Sequence, residues 1–253
     1  MRFKQNNTYQ IFWLFTLLMA VGIINNSCNK TDPSDCFKAT GPNVTEKRTV
    51  ALFKKIILRD NVCLVLTQDS NYSVTVMAGE KIMPKVITTI TDEVLDISNA
   101  NSCNWVRSFE REITVYANVD VLNEIEYRGS GDITCTNTIV QDSLTLGIVE
   151  GAGKVDMDVD IYRNYIYFHI GTADVYYSGK SHLNYLSTLS FGLVDIRNMN
   201  TVYTYMTAAG SNNTFVNAGF ELNVRIESMG DVYYIGDPEI NLSGTGTGEL
   251  LKL

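Results

Sequence analysis

Gly129-Ser130-Gly131-Asp132-Ile133 is followed by Gly151-Ala152-Gly153-Lys154-Val155, Gly171-Thr172-Ala173-Asp174-Val175 and Gly192-Leu193-Val194-Asp195-Ile196. Gly210-Ser211-Asn212-Asn213-Thr214, Gly230-Asp231-Val232 and Gly244-Thr245-Gly246 close the series, at a spacing of about twenty residues. Between the glycines run alternating apolar residues, such as Val155, Met157, Val159 and Ile161, or Leu222, Val224 and Ile226. Polar bends (Arg163-Asn164, Gly179-Lys180-Ser181, Asn217-Ala218-Gly219) divide each unit into strands. A unit this short cannot bury its own apolar side, so it must stack on its neighbours. The expectation is an all-β chain forming a parallel β-helix-like solenoid, with two or three strands per coil. The turn glycines are expected at positive φ, and the Asp or Asn that follows is expected to bond the local backbone.

Outward from this segment the signals weaken. Strand patterns start at Thr49 and continue through Ile56–Leu66, Tyr72–Met77, Ile87–Ile97 (with a turn at Asp92-Glu93) and Glu112–Val119, without a repeat of their own. A short helix is expected near Glu80–Pro84, with Pro84 ending it. Scarce Pro and plentiful Tyr, Val, Ile and Thr agree with a β-rich chain.

The N-terminus reads as a targeting segment. Arg2 and Lys4 precede an apolar run from Ile11 to Ile24, too short for a comfortable membrane span and suited to export. The run ends at Asn25-Asn26-Ser27-Cys28, which resembles a bacterial lipoprotein signal in which Cys28 is lipidated, although Asn25 stands where Leu is usual. A plain secretory signal and an uncleaved anchor are the alternatives. The expected organisation is therefore a signal over residues 1–28, a polar tether over 29–48 and the solenoid over 49–253. Export puts Cys36, Cys63, Cys103 and Cys135 in an oxidising compartment. Cys36 and Cys103 lie in loop-like contexts and are the first choice for a disulfide. Cys63 and Cys135 sit in strand-like runs and read as small buried residues. The whole chain carries a net charge of −8, and residues 1–28 hold Arg2 and Lys4 and no acid, so the remainder carries −10. With no basic run, nucleic acid is not an expected partner.

Tyr127-Arg128-Gly129-Ser130-Gly131-Asp132-Ile133 and Gly230-Asp231-Val232-Tyr233-Tyr234-Ile235-Gly236-Asp237-Pro238 together resemble the signature turns of the auto-transporter adhesin head GIN domain family, over roughly residues 50–250. Ser243-Gly244-Thr245-Gly246 supplies the family's last Gly-rich turn. The middle coils depart from the pattern, with Lys154 for Asp and Leu193-Val194 for Ser-Gly. The resemblance implies a right-handed β-helix-like fold in an exported protein and brings no catalytic residues with it.

Few residues suggest chemistry. Asp132, Asp174, Asp195 and Asp231 follow turn glycines and would form an acidic column if the coils are in register. Glycoside cleavage needs two carboxyl groups about 5–10 Å apart, so a polysaccharide-active enzyme using Asp132, Asp174 or Asp195 is one reading; local turn capping is the other. Asp156, Asp158 and Asp160 share a strand face, yet no calcium-loop pattern accompanies them. No metal or cofactor is expected. His169 and His182 belong to no triad pattern. Trp105, Arg107 and Arg111 form a small cationic–aromatic group near Cys103. Ser243-Gly244-Thr245-Gly246-Thr247-Gly248 lacks the Lys and helix of a phosphate loop. The best binding clue is tyrosine. Tyr162, Tyr165, Tyr167, Tyr176, Tyr177, Tyr185, Tyr203 and Tyr205 fall in successive coils. Of these, Tyr165, Tyr167, Tyr185, Tyr203 and Tyr205 are the candidate ligand-binding residues, offering flat faces to a glycan or a surface protein. The expected function is a non-catalytic outer-membrane lipoprotein that acts as an adhesin or binding module and touches the membrane only through its N-terminal lipid. A purely structural envelope protein is the remaining alternative.

Overall fold

This computed structural model describes residues 40–101 and 112–253. Cys28, Cys36, Cys103, Trp105, Arg107 and Arg111, with the signal and most of the tether, lie outside the described residues. Strands run in chain order as β1 (Asn43–Arg48), β2 (Lys55–Asp60), β3 (Val62–Gln68), β4 (Ser73–Gly79), β5 (Val86–Thr91), β6 (Val94–Asn99), β7 (Ile113–Val119), β8 (Glu124–Gly129) and β9 (Ile133–Cys135). The repeat region follows as β10 (Ile139–Ile148), β11 (Lys154–Phe168), β12 (Asp174–Thr188), β13 (Val194–Ala208), β14 (Thr214–Ile226), β15 (Val232–Ile235), β16 (Glu239–Ser243) and β17 (Leu250–Lys252). All seventeen join one hydrogen-bonded sheet wound into a β-solenoid of about six turns.

Each coil contributes to three columns of parallel strands. One column stacks Ile133, Val155, Val175, Val194, Thr214, Val232 and Leu250. A second stacks Ile139, Val159 and Gly179. The third stacks Ile125, Leu146, Ile166, Leu186, Met206, Val224 and Leu242. Alternation sends one set of side chains inward and the other to solvent. Val155, Val159, Ile166, Val175, Val194, Val216, Leu222 and Val224 are accordingly buried. The strands β11, β12 and β13 run from one column to the next without a break in assignment.

The first half lacks a legible repeat because its coils are stacked out of chain order. β2 lies between β6 and β8, and β3 lies between β7 and β9. The chain completes one coil, leaves to build an outer layer, and returns past its own start. The outer layer is antiparallel: β5 pairs with β6 through the Asp92-Glu93 turn, and β4 lies between β1 and β7. Ile82 and Met83 close the apolar interior at this end. Met83–Lys85 is a single 3₁₀ turn that contains Pro84 in its first turn rather than a helix ended by it; the missing N–H is harmless there. The other end is open. Ile240 and Leu242 occupy interior positions in register with Leu222 and Val224, yet they are exposed because no further coil covers them.

The glycines answer to a different constraint from the one expected. Among the turn glycines only Gly171 and Gly244 adopt positive φ. What excludes a side chain elsewhere is the neighbouring coil. A Cβ on Gly192 would sit 2.0 Å from the Ala173 carbonyl oxygen and 2.3 Å from the Phe168 ring, and one on Gly131 would sit 2.2 Å from the Val62 carbonyl.

Candidate ligand-binding surface

Inward placement of Ile166, Leu186 and Met206 turns the alternate residues outward. Tyr165, Tyr185 and Tyr205 are in register on consecutive coils. Their rings stack with centroids 5.2 Å and 5.4 Å apart and planes 7° and 20° from parallel. Tyr167 stands beside Tyr165 at 6.2 Å. Tyr167, Tyr185 and Tyr205 border a shallow depression of about 340 Å³ completed by Asn223, Arg225 and Ser243. Burial, then the neighbouring Tyr165 and Tyr185, pushes the Tyr167 hydroxyl above its ordinary pKa.

Tyr203, expected with this ladder, belongs to another surface. It packs edge-on to His182 at 5.3 Å and to Phe220 at 5.3 Å. His182 stacks on Tyr162 with centroids 4.6 Å apart and planes 14° from parallel. This second aromatic series follows the bend between the second and third columns, and its Tyr162 and His182 border an open groove of about 510 Å³. Its lining includes Tyr162, His182 and Val202 from successive coils, together with Asp160, Lys180 and Asn200, which are in register. Tyr162 is 50% exposed. Lys180 Nζ lies 3.0 Å from Asp160 Oδ2, and each group retains further hydrogen-bonding capacity. Such a groove offers apolar ring surface together with donors and acceptors. Sequence reasoning found His182 in no triad pattern and left Tyr162 out of the candidate ligand-binding residues. The signal was the spacing of Tyr162, His182, Val202 and Phe220, 18 to 20 residues apart and each next to a polar stretch.

The turn aspartates do not converge on a reaction centre. Register places Asp132, Lys154, Asp174, Leu193, Asn213 and Asp231 in one column. Asp195 is two positions out of that column, level with Tyr176. It grips Arg197 through both carboxylate oxygens, at 2.7–3.0 Å. The Asp132 carboxylate accepts from the Lys154 amide at 2.8 Å, Asp174 from the Leu193 amide at 3.2 Å, and Asp231 from the Glu249 amide at 2.9 Å. The caps therefore run from one coil to the next, not within a turn. Asn213 makes the same bond to the Asp231 amide at 3.1 Å.

Asp156 pairs with Lys154, Asp158 accepts from Ser178 and Thr138, and Asp160 pairs with Lys180. Among the described residues no group of three or more potential metal ligands occurs. Tyr177 is buried rather than displayed. Cys63 and Cys135 are half-buried free thiols that alternate with core residues instead of joining them. Burial pushes both thiols upward in pKa.

No curated protein sequence matches the chain. Its fold is similar to a crystal structure titled "putative adhesin" from Bacteroides fragilis NCTC 9343, at 21% identity and a TM-score of 0.76, covering 84% of this chain and 97% of that one. It is also similar to a "putative lipid binding protein" from Parabacteroides distasonis ATCC 8503, at 16% identity and a TM-score of 0.64, covering 85% and 98%. A "putative adhesin" from Parabacteroides merdae ATCC 43184 aligns at 14% identity and a TM-score of 0.60, covering 85% and 98%. The family described as "Putative auto-transporter adhesin, head GIN domain" matches residues 52–238, and with these stacked coils the chain belongs to that family.

Proposed function

We propose that this protein is a non-catalytic adhesin of the cell envelope that binds glycans along its aromatic faces. The observation that carries the reading is the presence of aromatic rings and polar side chains from consecutive coils in one groove, as Tyr162 and His182 line it together with Asp160 and Lys180. Sugar rings present C–H faces to aromatic planes and hydroxyls to carboxylates, amides and ammonium groups. Neighbouring strands lie about 4.8 Å apart, a spacing that lets one extended saccharide meet equivalent side chains repeatedly. Each contact is weak, and their number supplies affinity. The family description supports export or surface display. Attachment through lipidated Cys28 to the outer membrane is part of the same proposal, supported by the apolar run that precedes it.

A glycan array followed by calorimetry on the purified chain tests the ligand class. Tyr162→Ala with His182→Ala is expected to weaken the best glycan at least about tenfold, the effect of losing about 1.4 kcal/mol. Tyr165→Ala with Tyr185→Ala tests the other ladder in the same assay. Binding of no glycan above the level of an unrelated all-β protein would reject the reading. Metabolic labelling with a fatty-acid analogue, lost in Cys28→Ala, tests the anchor.

A further inference from the structure

We propose that one edge of the solenoid lies on the bilayer, through a row of apolar turn residues. The inference rests on the N-terminal membrane attachment proposed above and concerns a surface distinct from the glycan-facing rings. The third column returns to the first through a series of turns, residues 130–132, 149–153, 169–173, 189–193, 209–213, 227–231 and the polar 244–249. These turns stack along one edge. Its start is polar: Asp60, Asn61, Ser130 and Glu150 gather there. Farther along it becomes apolar, with Ile170 65%, Leu189 48%, Phe191 68% and Met229 67% exposed. The intervening turn carries the small Ala209 and Ser211. Turns 169–173, 189–193 and 209–213 contain no Asp, Glu, Lys or Arg. In turn 227–231, Glu227 is held by Arg225 and Thr245, and Asp231 caps Glu249.

Single exposed apolar residues need no explanation, but an aligned set marks a contact surface. Distance selects lipid as the occupant. Residues 29–39 separate Cys28 from Thr40, a chain of at most ~40 Å when fully extended. A lipid on Cys28 therefore limits the solenoid to within that reach of the bilayer. A net charge of −10 beyond residue 28 leaves no attraction to anionic headgroups, so contact comes from apolar insertion at the depth of the headgroup–acyl boundary. It is expected to be insensitive to salt.

The test uses the full lipidated chain in phosphatidylcholine–phosphatidylethanolamine vesicles containing lipids brominated on their acyl chains. Phe191→Trp and Met229→Trp are compared with Tyr162→Trp, after subtraction of the unsubstituted protein's emission. The expected result is at least about twofold stronger quenching at positions 191 and 229 than at 162, unchanged in high salt. Flotation with vesicles without that excess overturns the contact through this row and leaves the anchor standing. Failure to float overturns both. A lipid-free dimer converted to monomer by Phe191→Asp with Met229→Asp would assign the row to a second copy of the chain and overturn the proposal.

Discussion

The Tyr127 hydroxyl accepts from the Gly153 amide at 2.8 Å on the next coil and donates to the Gly131 carbonyl at 2.8 Å in its own turn. A buried ring thereby ties together the first two glycine turns of the repeat. The glycines in turn make room for it: a Cβ on Gly153 would sit 2.5 Å from the hydroxyl, and one on Gly151 2.5 Å from the ring. Tyr127→Phe keeps the ring and leaves a donor and an acceptor without their partner. The expected loss is about 2 kcal/mol, read as a lower urea midpoint at unchanged slope.

Stability should fall in strong alkali. Burial pushes the Tyr127 hydroxyl up to about 12 and raises that of Tyr177 as well. The unfolded chain loses these protons near pH 10, before the folded one does. Their stabilising contribution is thus complete below pH 10 and declines as pH rises through the folded pKa. Melting temperatures measured from pH 8 to 12 should decline less steeply in Tyr127→Phe and Tyr177→Phe than in the parent. An unchanged slope in both would contradict this account.

The acid side has the opposite sign. Burial raises the Glu126 pKa, but bonds from Lys55 and Arg128 outweigh it and leave the carboxyl below its ordinary value. Its contribution is present above the unfolded pKa and is lost as pH falls through the folded one. In Glu126→Gln the drop in melting temperature between pH 6 and pH 3 is expected to be smaller.

Two glycines separate close approach from mere backbone freedom. Gly192→Ala forces a methyl against Ala173 and Phe168 and is expected to destabilise by at least about 2 kcal/mol. Gly147→Ala meets its nearest neighbour, the Ile125 carbonyl oxygen, at 3.9 Å. It should be neutral or stabilising by up to about 1 kcal/mol. Equal effects in chemical denaturation would refute the coil-contact explanation.

Asp132 distinguishes capping from catalysis. Asp132→Ala is expected to lose about 1–2 kcal/mol, in the range of other backbone-amide caps, while Asp132→Asn retains an acceptor and loses less. Glycan affinity should be unchanged in both. Release of new reducing ends from a bound polysaccharide by the parent, abolished in Asp132→Asn, would restore the enzymatic reading.

Much of the architecture was legible because it is a local property repeated. The glycine period, the apolar alternation and the polar bends are each visible within one coil, and stacking is the only way such a coil can cover its apolar side. Tyr165, Tyr185 and Tyr205 could be grouped by the same logic. Tyr203 could not, because it lies two residues before Tyr205, in register with Arg163 and Leu183 rather than with a tyrosine, and meets His182 and Phe220 instead. Asp195 failed similarly: its distance from Gly192 resembles that of Asp174 from Gly171, but register aligns it with Tyr176.

From its residues alone, this chain was bound to form stacked β-coils with an acidic exterior, since a period of about twenty residues and the alternation of apolar side chains depend on near neighbours. Tertiary structure decided the out-of-order insertion of β2 and β3, the antiparallel cover at one end, the aromatic groove and the apolar turn edge. Those features depend on which coils touch and how strands align across them, and hydrogen bonding between segments far apart in the chain sets both.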